Sequence, residues 1–116
     1  MKLYGIGNCS TVRKAIAWLD QHGEHYQFHD FKKQGVSSEL AQRWLKQAGW
    51  ESLVNRKGMT WRGLPASRQQ AVCDDASALA LMLEKPSVIR RPLLEKGGKL
   101  VHIGFDSVNY ENIFKP

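Results

Sequence analysis

Apolar positions along the chain change their spacing several times, and each change marks an element. Lys2 to Ile6 is a short run with Leu, Tyr and Ile, closed by Gly7-Asn8, which predicts a strand entering a turn. Ser10 and Thr11 offer helix caps, and Val12, Ala15, Ile16 and Leu19 then follow the three- and four-residue spacing of a buried helical face, which stops at His22-Gly23. From His25 to Phe31 aromatic and polar residues alternate, predicting a second strand with Tyr26 and Phe28 on one face. A helix between two strands implies that they run parallel, with a right-handed crossover.

After Gly35 the helical spacing dominates. Ser37-Ser38-Glu39 caps a helix carrying Leu40, Ala41, Trp44, Leu45 and Ala48, and Gly49 stops it. Trp50 to Val54 forms a further turn, Leu64-Pro65-Ala66-Ser67 opens a segment that runs through Val72, and Ser77 to Glu84 is a strongly apolar helix closed by Lys85-Pro86. Pro92 to Glu95 and Leu100 to Ile103 flank Lys96-Gly97-Gly98-Lys99, the pattern of a β-hairpin. Ser107 to Phe114 suits a last short helix. The order β-α-β, helices, β-β-α predicts an α/β, thioredoxin-like fold: a single domain over residues 1–116 with a helical subdomain inserted at about 35–86.

Composition narrows the function classes. Of the 116 residues, 42% are apolar and 24% charged, which supports a packed core and excludes disorder. No apolar run approaches the roughly 18 residues of a membrane span, and the first residues show no secretory pattern, so a cytoplasmic location away from membranes is expected. The formal charge is +6, from 17 Lys and Arg against 11 Asp and Glu. These cations are dispersed, so a small anionic ligand suits them better than nucleic acid. The four tryptophans read as packing residues: Trp18 and Trp44 on helical apolar faces, Trp50 and Trp61 flanking the Arg56 segment. Cys9 and Cys73 are too sparse for a disulfide scaffold and lack zinc-site spacing. His22, His25 and His29 straddle a helix end and a strand and cannot share one face, so no metal is expected.

Cys9 carries the chemistry. It sits in Gly7-Asn8-Cys9-Ser10-Thr11, after a strand and before a helix whose first turn holds Arg13 and Lys14. Unpaired backbone N–H groups at a helix start, with nearby cations, favour a thiolate over a thiol. Polar neighbours set this cysteine apart from the common small buried one. Cys73, after Ala71-Val72 at a helix end, reads as a structural thiol. Arg91-Pro92 admits two conformations on local grounds, since X-Pro takes the cis form at modest cost while a trans proline can open an edge strand.

The run Tyr4 to Ala15 (YGIGNCSTVRKA), the segment Asn55-Arg56-Lys57-Gly58 and the stretch Glu84 to Leu94 with its late Arg-Pro resemble the YffB-type proteins of the arsenate reductase and Spx superfamily, over essentially the whole chain. That resemblance implies a thioredoxin-like fold, thiol chemistry at Cys9, and a cis bond before Pro92 that sets the Arg91 backbone beside the cysteine loop. It implies substrate contacts from Asn8, Thr11, Arg13, Arg56, Arg91 and Pro92, with Arg90 as an extra cation. Two departures stand out. His102 occupies the place of a third arginine of the arsenate pattern, so oxyanion binding should be weaker. Val12 stands where the Spx pattern has its second cysteine, so the site needs an external thiol. The expectation is a glutathione-dependent thiol oxidoreductase, monomeric, with no resident cofactor, glutathione as co-substrate and glutaredoxin as a further partner. Arsenate reduction and polymerase-binding regulation of the Spx kind are the alternatives.

Overall fold

The computed structural model describes residues 1–116. In chain order the elements are β1 (Lys2–Gly5), α1 (Ser10–Gln21), β2 (Gln27–Asp30), α2 (Phe31–Gln34), α3 (Ser38–Ala48), α4 (Trp50–Leu53), α5 (Met59–Arg62), α6 (Ala66–Ala71), α7 (Asp75–Glu84), a 3-10 turn (Pro86–Val88), β3 (Leu93–Lys96), β4 (Lys99–Ile103) and α8 (Ser107–Ile113). The chain divides into two compact units: Met1–Gln34 with Arg91–Pro116, and Gly35–Arg90. The helical insert expected at about 35–86 thus forms a unit that ends at Arg90.

The first unit is built on a four-stranded sheet in the order β2-β1-β3-β4. β1 and β2 run parallel, with Leu3 opposite Phe28. β3 runs antiparallel to both β1 and β4, pairing Leu3 with Leu94 and Leu94 with His102. The β3–β4 hairpin closes through Gly97 and Gly98, both at positive φ (57° and 79°), as a two-residue hairpin turn requires. Leu3, Ala15, Trp18, Leu19, Leu94 and Tyr110 form the core cluster, so α1 and α8 pack on one face of this sheet. Tyr26 and Phe28 both lean on that cluster, matching the face the alternation assigned them.

β2 is shorter than the alternation suggests because its end is converted into a helix start. Asp30 accepts the Lys32 N–H at 2.8 Å while Gln34 accepts the Asp30 N–H at 3.2 Å, and Phe31 turns into α2 and is buried there. A reciprocal side-chain cap of this kind ends the extended backbone locally.

The second unit is helical. Ser37 caps α3, accepting the Leu40 N–H at 3.1 Å, and α3 buries Ala41, Trp44 and Leu45. Asp74 and Ser77 make a capping box at the start of α7, which buries Ala78, Leu81 and Met82. α3 packs against α7. The segment after α4 pairs with the segment after the 3-10 turn: Val54 bridges Ile89, the Asn55 N–H donates to the Val88 carbonyl at 2.8 Å and the Arg90 N–H donates to the Leu53 carbonyl at 2.7 Å. α5 and the 3-10 turn are too short to show a periodicity and were not expected.

Candidate active site around Cys9

Cys9 itself is the N-cap of α1, one residue earlier than the Ser10 and Thr11 caps the sequence suggested. Its position is fixed from both sides. Its N–H closes a tight turn onto the Ile6 carbonyl at 3.0 Å, and its carbonyl accepts the first helical bond, from the Arg13 N–H at 3.0 Å. The backbone at Cys9 is extended, φ −84° and ψ 127°, the usual cap conformation, which leaves the side chain facing the open amides of the first turn. The turn is pinned at Gly7, whose N–H donates to Asp30 Oδ2 at 3.4 Å and whose carbonyl accepts from Arg13 Nε at 3.3 Å. Two residues earlier, at the end of β1, the packing is tighter still: a Cβ on Gly5 would lie 2.7 Å from Cγ2 of the buried Val12.

The Cys9 sulfur is half-buried, and burial alone would push its ionisation up. The Val12 N–H, the Arg91 guanidinium hydrogen-bonded to the sulfur, the Thr11 N–H and the positive charge of Arg91 together outweigh burial, and the thiol is held below its ordinary value. No conventional cap bond closes on the side chain, so the first-turn amides act on the thiolate charge. Thr11, expected as a site residue, contributes through its backbone N–H, and Val12 joins it from N3. The Arg91–Pro92 bond is cis, Pro92 is buried, and its carbonyl accepts the Gly104 N–H at 2.8 Å, joining the start of β3 to the end of β4.

The other expected site residues fall in several places. Arg13 is exposed and holds the Gly7 carbonyl; it is not among the groups that shift Cys9. Asn8 is exposed at the tip of the turn. Arg56 belongs to the helical unit, where its guanidinium lies 5.2 Å over the Trp50 ring and 3.8 Å from Glu51. Arg90 is exposed in the same unit. His102 is half-buried on β4, edge-on to the Tyr110 ring at 5.6 Å; burial pushes its ionisation down against the opposing pull of Asp106, so the ring is neutral at pH 7. Cys73 corrects the sequence reading: it is exposed between α6 and α7, its N–H bonded to Ser77 Oγ at 3.0 Å, and is not a buried structural thiol.

A strand, a tight turn and a cysteine that caps a helix beside an arginine preceding a cis proline make up a site whose relatives are recognisable. The model of the ArsC family matches residues 4–113. The chain belongs to the ArsC family. Among solved structures, a protein called YffB is 43% identical, with 96% of each chain covered and a TM-score of 0.89. An arsenate reductase (ArsC) related protein from Brucella melitensis is 49% identical over 99% of this chain and 94% of its own, with a TM-score of 0.79. Farther off, the global transcriptional regulator Spx of Streptococcus agalactiae is 28% identical over 102 residues, 85% of this chain and 72% of that one. The α/β fold is thus the thioredoxin-like fold of ArsC proteins, with no helix long and apolar enough to cross a membrane.

Within this ArsC-family chain the structure brings Cys9, the amides of Thr11 and Val12, and Arg91 together. The Val12 amide was missed by sequence reasoning, although naming Cys9 as the cap would have found it, since N2 and N3 supply the donors at any helix start. Asp30 was missed because nothing local links the end of a strand to a turn before the preceding helix.

Proposed function

We propose that this protein is a glutathione-dependent thiol oxidoreductase with Cys9 as its single nucleophile. The observation that carries the reading is the Cys9 sulfur set between two helix-start amides and the Arg91 guanidinium. The thiolate attacks one sulfur of a disulfide, that S–S bond breaks, and the departing thiolate takes a proton from water. Where the disulfide contains glutathione, Cys9 is left joined to glutathione. A second glutathione thiolate then attacks the glutathione sulfur, releasing oxidised glutathione and the Cys9 thiolate, whose lowered basicity makes it a good leaving group. Arg13 and Arg91 supply cations for the carboxylates of glutathione, and Asn8, Pro92 and the Thr11 backbone line the approach. An internal resolving cysteine at position 12 is replaced by the buried Val12, which favours the external thiol. The chain works as a monomer in the reducing cytoplasm, without a resident cofactor. The test is whether oxidised glutathione adds to Cys9 when Cys73 is replaced by serine.

Arsenate reduction through a Cys9–arsenate adduct, with glutathione and glutaredoxin as reductants, is the second reading, favoured by the Brucella melitensis relative. Against it stands the neutral ring of His102. Arsenate turnover is expected about a hundredfold or more below that of a reductase bearing an arginine there, the scale of losing one oxyanion donor. Because burial lowers the His102 ionisation below its ordinary value of about 6.5, its charge develops only on acidification past that point, and any help it gives an oxyanion grows as pH falls. Turnover matching an established reductase at pH 7 would refute this argument; a gain with His102→Arg would support it. The regulator reading rests on the Spx relative, and pull-down with RNA polymerase separates it from both enzyme readings.

A further inference from the structure

We propose that Asp30 is a positioning residue for the nucleophile, acting through Gly7 to hold the turn that aims the Cys9 sulfur at its amide donors. The inference rests on the thiol chemistry proposed for Cys9. Gly7 is gripped at both backbone groups: Asp30 Oδ2 takes its N–H at 3.4 Å and Arg13 Nε reaches its carbonyl at 3.3 Å. These bonds are long and individually weak, but they act on one residue from opposite directions, an acid at the end of β2 and a base in the first turn of α1. Asp30 is itself immobilised, because Oδ1 accepts the Lys32 N–H at 2.8 Å and its own N–H is bound by Gln34 Oε1 at 3.2 Å. A rigid carboxylate therefore fixes Gly7 two residues before the sulfur, inside the turn closed by the Cys9 N–H on the Ile6 carbonyl. The fit is close, since a Cβ on Gly7 would lie 3.3 Å from Asp30 Oδ2. The charged groups that act on the sulfur or bond its turn are Arg91 at the sulfur and Arg13 and Asp30 at Gly7.

Asp30→Asn tests this with little change of volume. The carboxamide oxygen keeps the shorter bond to Lys32, which turns the amide NH2 toward the Gly7 N–H, donor against donor. Removing a negative charge would by itself lower the thiol ionisation midpoint, whereas loosening the turn raises it, so the sign decides. Iodoacetamide alkylation of Cys9 is followed against pH in a Cys73→Ser background. The expected midpoint for Asp30→Asn is about half a unit above the parent, about a threefold loss of thiolate on the acid side, with the alkaline plateau rate unchanged. Gly7→Ala pushes on the same carboxylate without changing charge and is expected to move the midpoint the same way. It decides the matter if Asp30→Asn fails to fold. A depressed parent midpoint with an unchanged or lower midpoint in the variants overturns the positioning role alone. A parent midpoint at or above that of free cysteine, about 8.5, overturns the activated thiol and this inference with it.

Discussion

Replacing Arg91 with alanine is expected to raise the pH midpoint of Cys9 reactivity by about one unit and to slow alkylation at pH 6.5 by about tenfold, because one unit is a tenfold change in thiolate below the midpoint. Arg91 acts on the sulfur twice, as hydrogen-bond donor and as positive charge. A hydrogen bond to a charged group contributes roughly 1.5 to 3 kcal/mol, and the half-exposed sulfur calls for the lower end, since water screens part of the field. Arg91→Lys is expected to recover the charge but only part of the directed bond, placing its midpoint between the other two. The same order is expected in glutathione affinity measured by calorimetric titration. Three equal midpoints would show that Arg91 does not govern the thiolate, and a thermal melt of each variant separates that outcome from loss of fold.

Gly5→Ala is expected to destabilise the protein by about 1 to 3 kcal/mol, the usual cost of forcing extra volume into a closed core. The added carbon would meet Val12 Cγ2 at 2.7 Å and Cγ1 at 3.3 Å. Val12 is fully buried and β-branched within a helix, where one rotamer dominates, so it cannot swing aside. Relief must come from displacing the first turn of α1, which also carries the amides that face Cys9. Pairing Gly5→Ala with Val12→Ala removes the clash, and the double variant is expected to be less destabilised than the sum of the singles. Strict additivity in denaturant melts would show that β1 and α1 do not meet at this point.

Much of this architecture is legible in the chain because its signals are local. The β1-turn-Cys9-α1 unit follows from a short apolar run, Gly7-Asn8 and a helical face. The hairpin follows from Gly97-Gly98, whose positive φ the turn demands. Ser37 announces α3 by its side chain. What local signals could not supply is contact between distant residues. Arg91 meets Cys9 because β3 lies beside β1 in the sheet, and only the family resemblance anticipated the pairing. Arg56 is a site candidate through the resemblance alone, and no local signal announced that its guanidinium lies over Trp50 and beside Glu51. Cys73 misled for a simpler reason, since Ala71-Val72 before it reads as a buried helix end while the chain there turns outward between two helices.

The measurement that bears most directly on Cys9 as a glutathione-reactive nucleophile is mass spectrometry of the Cys73→Ser protein after incubation with oxidised glutathione. The expected result is one glutathionyl group per chain, located on Cys9, lost on adding reduced glutathione and absent from the Cys9→Ser variant. A protein that stays unmodified under these conditions would contradict it.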